Sequence, residues 1–526
     1  MLGDSGRKLE EKFTFGRFLS DLTFVCRQSF PDRQCCCPGR RFVKFLTHLS
    51  LLILLLQLTA VSVAQQPPST DVTPLIAPDA LATEVDLSVD LPEPSSPEDD
   101  LRSEIQALQE RLTKLEAKPA PKAAEKDKDK KKDAEPSFDW GVPKENRKWD
   151  VKLGGHVQLD YINWAQASES IPDTKDYFEF RRLRLVADGK GYGFYDFRLQ
   201  MTLEPETVGE SPAGTVTSPD IKDAYFSINE LPYIGRARIG NFFVPFGLEQ
   251  VTNDTNNVFL ERSIPTQGVF TADREVGVAF YNCTEDEMLT WSGGIFLDSI
   301  SEGLKERIDD NQGYRLSGRV TGLPYYEDEG RYLWHVGAGV LFTDDQDGRY
   351  RIRSRPQIHE GPRIIDSGVI PVDTYVTGNL ETAIVCGPFS VQSEAYLSQV
   401  DFTDQSREYV HGWYVHGSFF LTGEHRNFEK FGQHGAQFGR SVPNNTVYAT
   451  NCSRGWGAWE LKARHSNLNL ESINAGTYND ITIGLNWYWS DRVRIMFDYI
   501  HPITNSEAIY GATNSDILGT RFDFNW

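Results

Sequence analysis

The sequence predicts an all-β fold, a transmembrane antiparallel β-barrel of about sixteen strands, with eighteen as the alternative count. Three observations support this prediction. From about residue 149 onward, apolar and polar residues alternate in one segment after another; charged residues recur at every second position of these segments; and the connections between them are alternately short and long. Alternation indicates strands. The charges and the connections are typical of a closed barrel that spans a membrane around a wet interior.

The last ten residues of the sequence show the alternation most clearly. Leu518, Phe522 and Trp526 fall on one face of the predicted strand, whereas Arg521 falls on the other. A half-buried strand of a soluble protein would alternate in the same way. Because the apolar row here is strongly aromatic and ends on an aromatic residue, the pattern favours a row that faces lipid.

Charged residues that stand between apolar neighbours indicate a water-filled interior. In one segment, Tyr195, Phe197 and Leu199 alternate with Asp196 and Arg198. Such charges are difficult to place in the core of a soluble sandwich, but they suit a lumen. Counting these segments gives about sixteen, an even number, as a closed single-chain barrel requires.

One connection is unusually long for its position. It lies at the end of the barrel where the other connections are short turns, and we expect this end to face the periplasm. It spans residues 422–454. Either this segment folds inward, or it contains a further hairpin, which would raise the strand count to eighteen.

The composition excludes a helical membrane protein. The chain has 526 residues, a net charge of −21 and 39% hydrophobic residues, and a span needs about 20 consecutive apolar residues.

Only the segment 42–64 approaches the length of a membrane span. Arg40 and Arg41 precede the apolar run and Ser62-Val63-Ala64 ends it, so we interpret 1–64 as a cleaved signal peptide with an over-long n-region. An uncleaved membrane anchor is the alternative. The export signal and the barrel together predict the cell outer membrane.

Three segments are predicted between the signal and the barrel at 149–526. Residues 65–100 are an acidic, proline-rich spacer that we expect to be disordered. Residues 101–118 carry leucine and isoleucine at alternating steps of four and three, which predicts a short coiled coil; a single amphipathic helix fits nearly as well. Residues 119–148 are a charged linker.

Several motifs in the barrel region resemble the phosphate-selective porins of the O and P type. They are the stretches 180–185, 239–250, 259–263 and 483–488, and the resemblance extends over about 150–526. It implies a homotrimeric channel for anions with roughly sixteen strands. It also implies that the third loop, the fifth loop and one periplasmic turn fold into the pore.

A barrel of sixteen strands leaves an aqueous channel, so a loop must narrow it if the channel is to select solutes. The natural constriction is the third loop, Val244 to Phe270. Fixed positive charge in a narrow pore attracts anions, and arginine keeps its charge and offers several donors to an oxyanion. The predicted anion-binding, pore-lining residues are Arg182, Arg184, Arg198, Arg236, Arg238, Arg262, Arg274, Arg315, Arg349, Arg351, Arg353, Arg464 and Arg494. The alternative is that each arginine pairs with a carboxylate of the lumen.

The function predicted from these features is passive diffusion of small anions, with phosphate as one candidate, across the outer membrane. The alternatives are a general porin, a pore that prefers cations or sugars, and a structural barrel that tethers the envelope. Sugars would stack on the aromatic residues predicted to face the lumen, which are Tyr225, Tyr314 and Tyr488. No enzyme is predicted, since the H-E-x-x-H and G-x-S-x-G motifs are missing. We expect no catalytic residue, metal or cofactor. The expected partners are small anions, outer-membrane lipid and further copies of the chain in a homotrimer, but not nucleic acid.

Overall fold

The structure is a computed structural model in which sixteen antiparallel strands close into one barrel. It confirms the predicted fold class and the count of sixteen. The residues that it describes are 148–204, 220–297, 313–345, 350–447 and 455–526. The predicted signal peptide, spacer and coiled coil, and the charged linker up to residue 147, lie outside these ranges.

The described chain contains twenty strands. In chain order they are β1 (Trp149–Ala167), β2 (Tyr177–Gly191), β3 (Tyr195–Thr202), β4 (Asp220–Leu231), β5 (Gly235–Phe243), β6 (Arg274–Cys283), β7 (Leu289–Leu297), β8 (Tyr314–Glu327), β9 (Tyr332–Asp344), β10 (Arg353–Ser354), β11 (Ile365–Asp366), β12 (Val372–Cys386), β13 (Phe389–Phe402), β14 (Arg407–Phe420), β15 (Phe428–Gly432), β16 (Gly435–Phe438), β17 (Ala458–Asn469), β18 (Thr477–Tyr488), β19 (Val493–Thr504) and β20 (Thr513–Asn525). None of the described helices is long and apolar enough to cross a membrane.

Sixteen of these strands form the wall, and the other four form two small hairpins, β10–β11 and β15–β16. The wall follows the chain order, with β9 paired to β12, β14 paired to β17, and β20 closing the barrel on β1. The hairpin β15–β16 belongs to the long connection 421–457 and contributes no strand to the wall. The alternative of eighteen strands is therefore wrong, and the inward-folding alternative is right.

The side chains of the wall alternate between the outer face and the interior as predicted. In β20, Leu518 is 47% exposed and Phe522 37%, whereas Arg521 is 1% exposed and Asp523 is fully buried. An exposed apolar row on the outside and buried charges on the inside are the reverse of a soluble protein. This arrangement suits a wall with lipid outside and polar groups inside.

Three segments fold into the barrel. We call them loop 3 (residues 244–273), loop 5 (residues 350–371) and the inner hairpin (Phe428–Phe438, which contains β15 and β16). Loop 3 carries the short helix α1 (Leu248–Val251). Phe270 of loop 3 and Ile364 of loop 5 share one buried apolar cluster, and Leu248 packs with the inner hairpin in another. Both clusters also contain apolar side chains of the strands, so the two loops and the hairpin pack on apolar parts of the inner face of the wall.

The outward faces of the strands can be tested with one substitution at mid-strand. Ala395 lies on the exposed face in the middle of β13. We expect Ala395→Arg to reduce the stability of the barrel by about 2–4 kcal/mol, because the charge would lie near the centre of the bilayer. Gln399→Arg, on the same face but closer to the strand end, should cost about 0–1 kcal/mol. Urea titration of the protein folded into vesicles measures both. Equal losses for the two variants would contradict the assignment of this face to lipid.

Candidate functional site

The start of loop 3 is fixed by a carboxylate of the wall. Glu394 of β13 accepts hydrogen bonds from the backbone N–H groups of Leu248 (2.9 Å) and Glu249 (2.7 Å). The hydroxyl groups of Tyr396 (2.8 Å) and Tyr414 (2.6 Å) donate to the same carboxylate. Glu394 is 1% exposed. Gly247, just before the helix, adopts a φ of 76°, and a Cβ there would lie 2.8 Å from the Tyr396 hydroxyl. The chain therefore needs glycine where it meets this acceptor.

The second half of loop 3 is held by four cations of the opposite wall, on β17, β19 and β20. Each donates a hydrogen bond to a backbone carbonyl of the loop, and the pairs are Arg494 with Asn257 (2.7 Å), Lys462 with Val258 (2.8 Å), Arg464 with Glu261 (2.9 Å) and Arg521 with Leu260. Arg494 also pairs with Asp523 (3.1 Å). Arg464 and Arg494 are only 3% and 2% exposed. Neither lines open space as predicted, since both are occupied in holding loop 3.

Three other predicted arginines and Arg319, which was not among them, contact the inner hairpin. Their contacts are Arg198 with the Gln433 side chain (3.1 Å), Arg236 with the carbonyls of Gly432 (3.0 Å) and Gln433 (3.1 Å), Arg238 with the carbonyl of Gln433 (2.9 Å), and Arg319 with the carbonyl of Ala436 (3.0 Å). The guanidinium of Arg238 also lies over the ring of Tyr225, 4.0 Å from its centroid. These arginines help to position the hairpin, while Arg198 also pairs with Asp223 (3.5 Å) and Arg319 with Glu381 (2.7 Å).

Arg315 belongs to neither group. It forms an ion pair with Glu275 and donates to the Tyr375 hydroxyl (3.1 Å) across the interior of the wall. Here the predicted alternative, pairing with a carboxylate of the lumen, is what the structure has.

Five arginines surround a cavity of about 330 Å³ between loop 3 and the strands β2 to β4. Its arginines are Arg181, Arg182, Arg184, Arg262 and Arg274. Four of these were predicted to line the pore. The cavity is therefore the place where the predicted cluster of positive charge exists.

One carboxylate lies at the centre of this cluster. Asp254 of loop 3 forms ion pairs with Arg262 (2.7 Å), Arg184 (3.0 Å) and Arg182 (3.1 Å). Burial disfavours its charged form, but the guanidinium groups, led by that of Arg182, outweigh burial and hold the pKa of Asp254 well below its usual value. The contact of Arg182 with Asp254 is made by its Nε atom, and Nε of Arg184 lies 3.7 Å from Glu204, although neither Nε–H group makes a well-aligned hydrogen bond in the described structure. Three guanidinium groups thus share one negative charge.

Arg181 reaches the cavity through an irregularity that the sequence pattern does not reveal. Gln158 pairs with Arg182 while the next residue, Leu159, pairs with Phe180, so Arg181 is an extra residue in β2. Such a β-bulge re-aims a side chain, and Arg181 forms a bidentate hydrogen bond with Glu261 of loop 3 (2.7 and 3.0 Å). Simple alternation would place Arg181 on the lipid side. Its role, like that of Asp254, depends on contacts that only the fold determines.

The charged groups that line the cavity nearly balance. Six cations (the five arginines and Lys222) face five carboxylates, which leaves one net positive charge if His359 is neutral. Burial, followed by the positive charge of Arg181, lowers the pKa of His359 to about 3, so the imidazole is neutral at pH 7. The net charge of −21 of the whole chain therefore does not describe the constriction.

The arginines of loop 5 are divided. Arg351 forms a bidentate hydrogen bond with Asp366 on the opposite strand of its small hairpin (2.7 Å for the Nε pair), so a carboxylate from further along the chain neutralises it. Arg353 is exposed and makes no ion pair within the described residues. Arg349 lies outside the described residues.

The aromatic residues predicted for sugar binding do not form a platform. Tyr314 is 37% exposed and lies on the outer face, so its predicted position in the lumen is wrong. The hydroxyl of Tyr225 accepts a hydrogen bond from Gln433 (2.7 Å), and that of Tyr488 donates one to Glu460 (2.7 Å). Both rings are buried, so neither is free to stack on a solute.

Comparison with known proteins gives one family and several relatives. Residues 151–526 match the family model described as phosphate-selective porin O and P. The chain is 25% identical over 425 residues to Porin O of Pseudomonas aeruginosa, and this alignment covers 72% of this chain and 89% of that protein. It is 27% identical over 398 residues to an uncharacterized protein of Caulobacter vibrioides, and this alignment covers 71% of this chain and 74% of that protein.

Solved structures with a similar fold include two proteins of low sequence identity. The trimer form of the outer membrane protein OmpT of Vibrio cholerae has a TM-score of 0.46 at 11% identity and covers 72% of this chain and 100% of that one. The anion-selective porin from Comamonas acidovorans has a TM-score of 0.44 at 12% identity, with the same coverage.

Proposed function

The chain belongs to the phosphate-selective porin O and P family, and from that premise we propose that it admits small anions in preference to cations. The family and the closed barrel indicate a channel for passive diffusion in the outer membrane rather than an enzyme. The solute preference depends on the constriction formed by loop 3. Phosphate is one candidate solute, because arginine matches the geometry of an oxyanion.

The observation that supports this proposal best is the shared carboxylate of Asp254. Three guanidinium groups lie around one negative charge, and a passing anion would be attracted by the positive charge that remains. Low-dielectric walls strengthen this attraction. Guanidinium groups at the edge of the cavity would donate hydrogen bonds to an oxyanion.

The preference is measured by reversal potentials of the purified protein in planar bilayers under a KCl gradient. One net charge about 8 Å from the ion changes its energy by about 2 kcal/mol at an effective dielectric constant of 20. Because salt screens part of this, we expect chloride to be favoured over potassium on the order of tenfold. Phosphate added to the bath should lower the chloride conductance. A cation-selective reversal potential would contradict the proposal and favour the general or cation-preferring porin.

We also infer that the channel is a homotrimer, as expected for the family that it resembles. Light scattering of the detergent-purified protein, corrected for bound detergent, should give three chains per particle. A mass of one chain would contradict this assembly.

A further inference from the structure

Loop 5 meets the wall at three side chains that are common metal ligands. Nδ1 of His359 lies 2.8 Å from Oε2 of Glu179 in β2 and 3.4 Å from Oε1 of its neighbour Glu360. The three ligand atoms all lie within 4.8 Å of one another. Ligand atoms around one tetrahedral zinc ion lie about 3.4 Å apart for bonds of about 2.1 Å. Small side-chain rotations would therefore bring all three atoms to bonding distance of one ion.

Two oxygen atoms in this cluster have no donor. Oε1 of Glu179 and Oε1 of Glu360 are buried, and neither makes a hydrogen bond in the described structure. A buried acceptor without a partner costs about 1–3 kcal/mol, so native proteins seldom leave one unexplained. A cation bound between these carboxylates would satisfy Oε1 of Glu360 directly, and it would satisfy Oε1 of Glu179 when that carboxylate binds through both of its oxygens.

The surroundings keep the cluster assembled and receptive to a metal ion. The Tyr177 hydroxyl bonds to both the N–H (3.1 Å) and the C=O (3.3 Å) of Glu360, which fixes loop 5 against β2. Two cations lie nearby: Arg181 is occupied by Glu261, and Arg355 lies 4.0 Å from Oε2 of Glu360.

We propose that Glu179, His359 and Glu360 form a binding site for a divalent transition metal ion of the zinc class, which clamps loop 5 to strand β2. One imidazole and two carboxylates suit zinc better than magnesium or calcium, which prefer oxygen ligands alone. Three protein ligands leave one position for water or an anion. Because His359 lines the constriction cavity, a bound ion adds positive charge at its edge.

The test is calorimetric titration of the full-length protein in detergent with ZnCl2 after treatment with EDTA. We expect the wild type to bind zinc, and we expect His359→Asn and Glu179→Gln to bind it with lower affinity. Loss of a partner in the second shell of a metal site already costs 10–100-fold in affinity, so we expect at least about a hundredfold loss from removal of the His359 ligand. His425→Asn, a histidine outside loops 3 and 5, should bind zinc like the wild type.

Three outcomes would overturn the site. Unchanged zinc affinity in both His359→Asn and Glu179→Gln would mean that the contact is only a hydrogen bond between loop 5 and the wall. Magnesium binding as tight as zinc binding would exclude the zinc class. An equal loss of affinity in His425→Asn would locate the ion elsewhere. Heat-modifiable gel mobility verifies that each variant is folded. Reversal potentials recorded in EDTA test the anion preference without bound metal. The proposal of anion preference and the proposal of a zinc site can therefore fail independently.

Discussion

Replacing Arg182 and Arg184 together by glutamine is expected to convert the channel from anion preference to cation preference. The change removes two of the three guanidinium groups around Asp254, and the cavity then has one net negative charge in place of one positive charge. Two charges at about 8 Å change the energy of an ion by about 4 kcal/mol at an effective dielectric constant of 20. After screening, the permeability ratio should fall on the order of a hundredfold, and the reversal potential should change sign.

Two variants serve as comparisons for this result. Lys190→Gln removes one positive charge from an exposed position near the other end of the same strand, so it should leave the reversal potential nearly unchanged. Asp254→Asn removes the shared negative charge and should increase the anion preference. Asp254 is charged at pH 7, because the guanidinium groups hold its pKa well below the usual value. If the double variant folds and keeps the anion preference of the wild type, these arginines do not determine it.

Replacing Glu394 by alanine is expected to release the start of loop 3 and widen the channel. The carboxylate accepts from two backbone N–H groups and two tyrosine hydroxyl groups, and each hydrogen bond to a charged group contributes about 1.5–3 kcal/mol. The wall itself should persist, because β13 is held by backbone ladders to β12 and β14. Since an unfilled barrel of sixteen strands has an open lumen, we expect single-channel conductance to rise at least about twofold.

The control for this variant is Ser390→Ala. Ser390 lies on the interior face of the same strand, but its hydroxyl bonds to Ser418 within the wall (2.9 Å). Its conductance should equal that of the wild type. Glu394→Gln keeps one acceptor oxygen and should give an intermediate conductance. If Glu394→Ala conducts like the wild type, the cations that hold the second half of loop 3 are sufficient to fix the whole loop.

The wall could be predicted almost residue by residue. Alternation is a local property of an extended backbone, because successive side chains point to opposite faces. It therefore placed Arg182, Arg238 and Arg494 on the inner face, where the structure has them. The bulge at Arg181 was missed because one inserted residue leaves no trace in the apolar pattern. Tyr314 was misplaced against the alternation itself, because its neighbour Arg315 was already placed on the inner face and adjacent residues of a strand point to opposite faces.

The partner of each inner arginine could not be predicted. Arg494 is bonded to the carbonyl of Asn257, at a separation of 237 residues, and Arg238 to that of Gln433, at a separation of 195. Arg182 instead borders the cavity beside Asp254. These three arginines look alike in the sequence, since all alternate with apolar neighbours on a strand.

The sequence by itself determined a closed wall of about sixteen strands with lipid outside, positive charge inside and a loop 3 available to narrow it, while the choice between sixteen and eighteen strands came from the structure. Only the tertiary structure decided which of those charges hold the in-folded segments and which of them face the cavity. The physical reason is that strand patterning depends on neighbours two positions apart. The fate of a buried guanidinium depends instead on the carbonyl or carboxylate that the rest of the chain brings opposite to it.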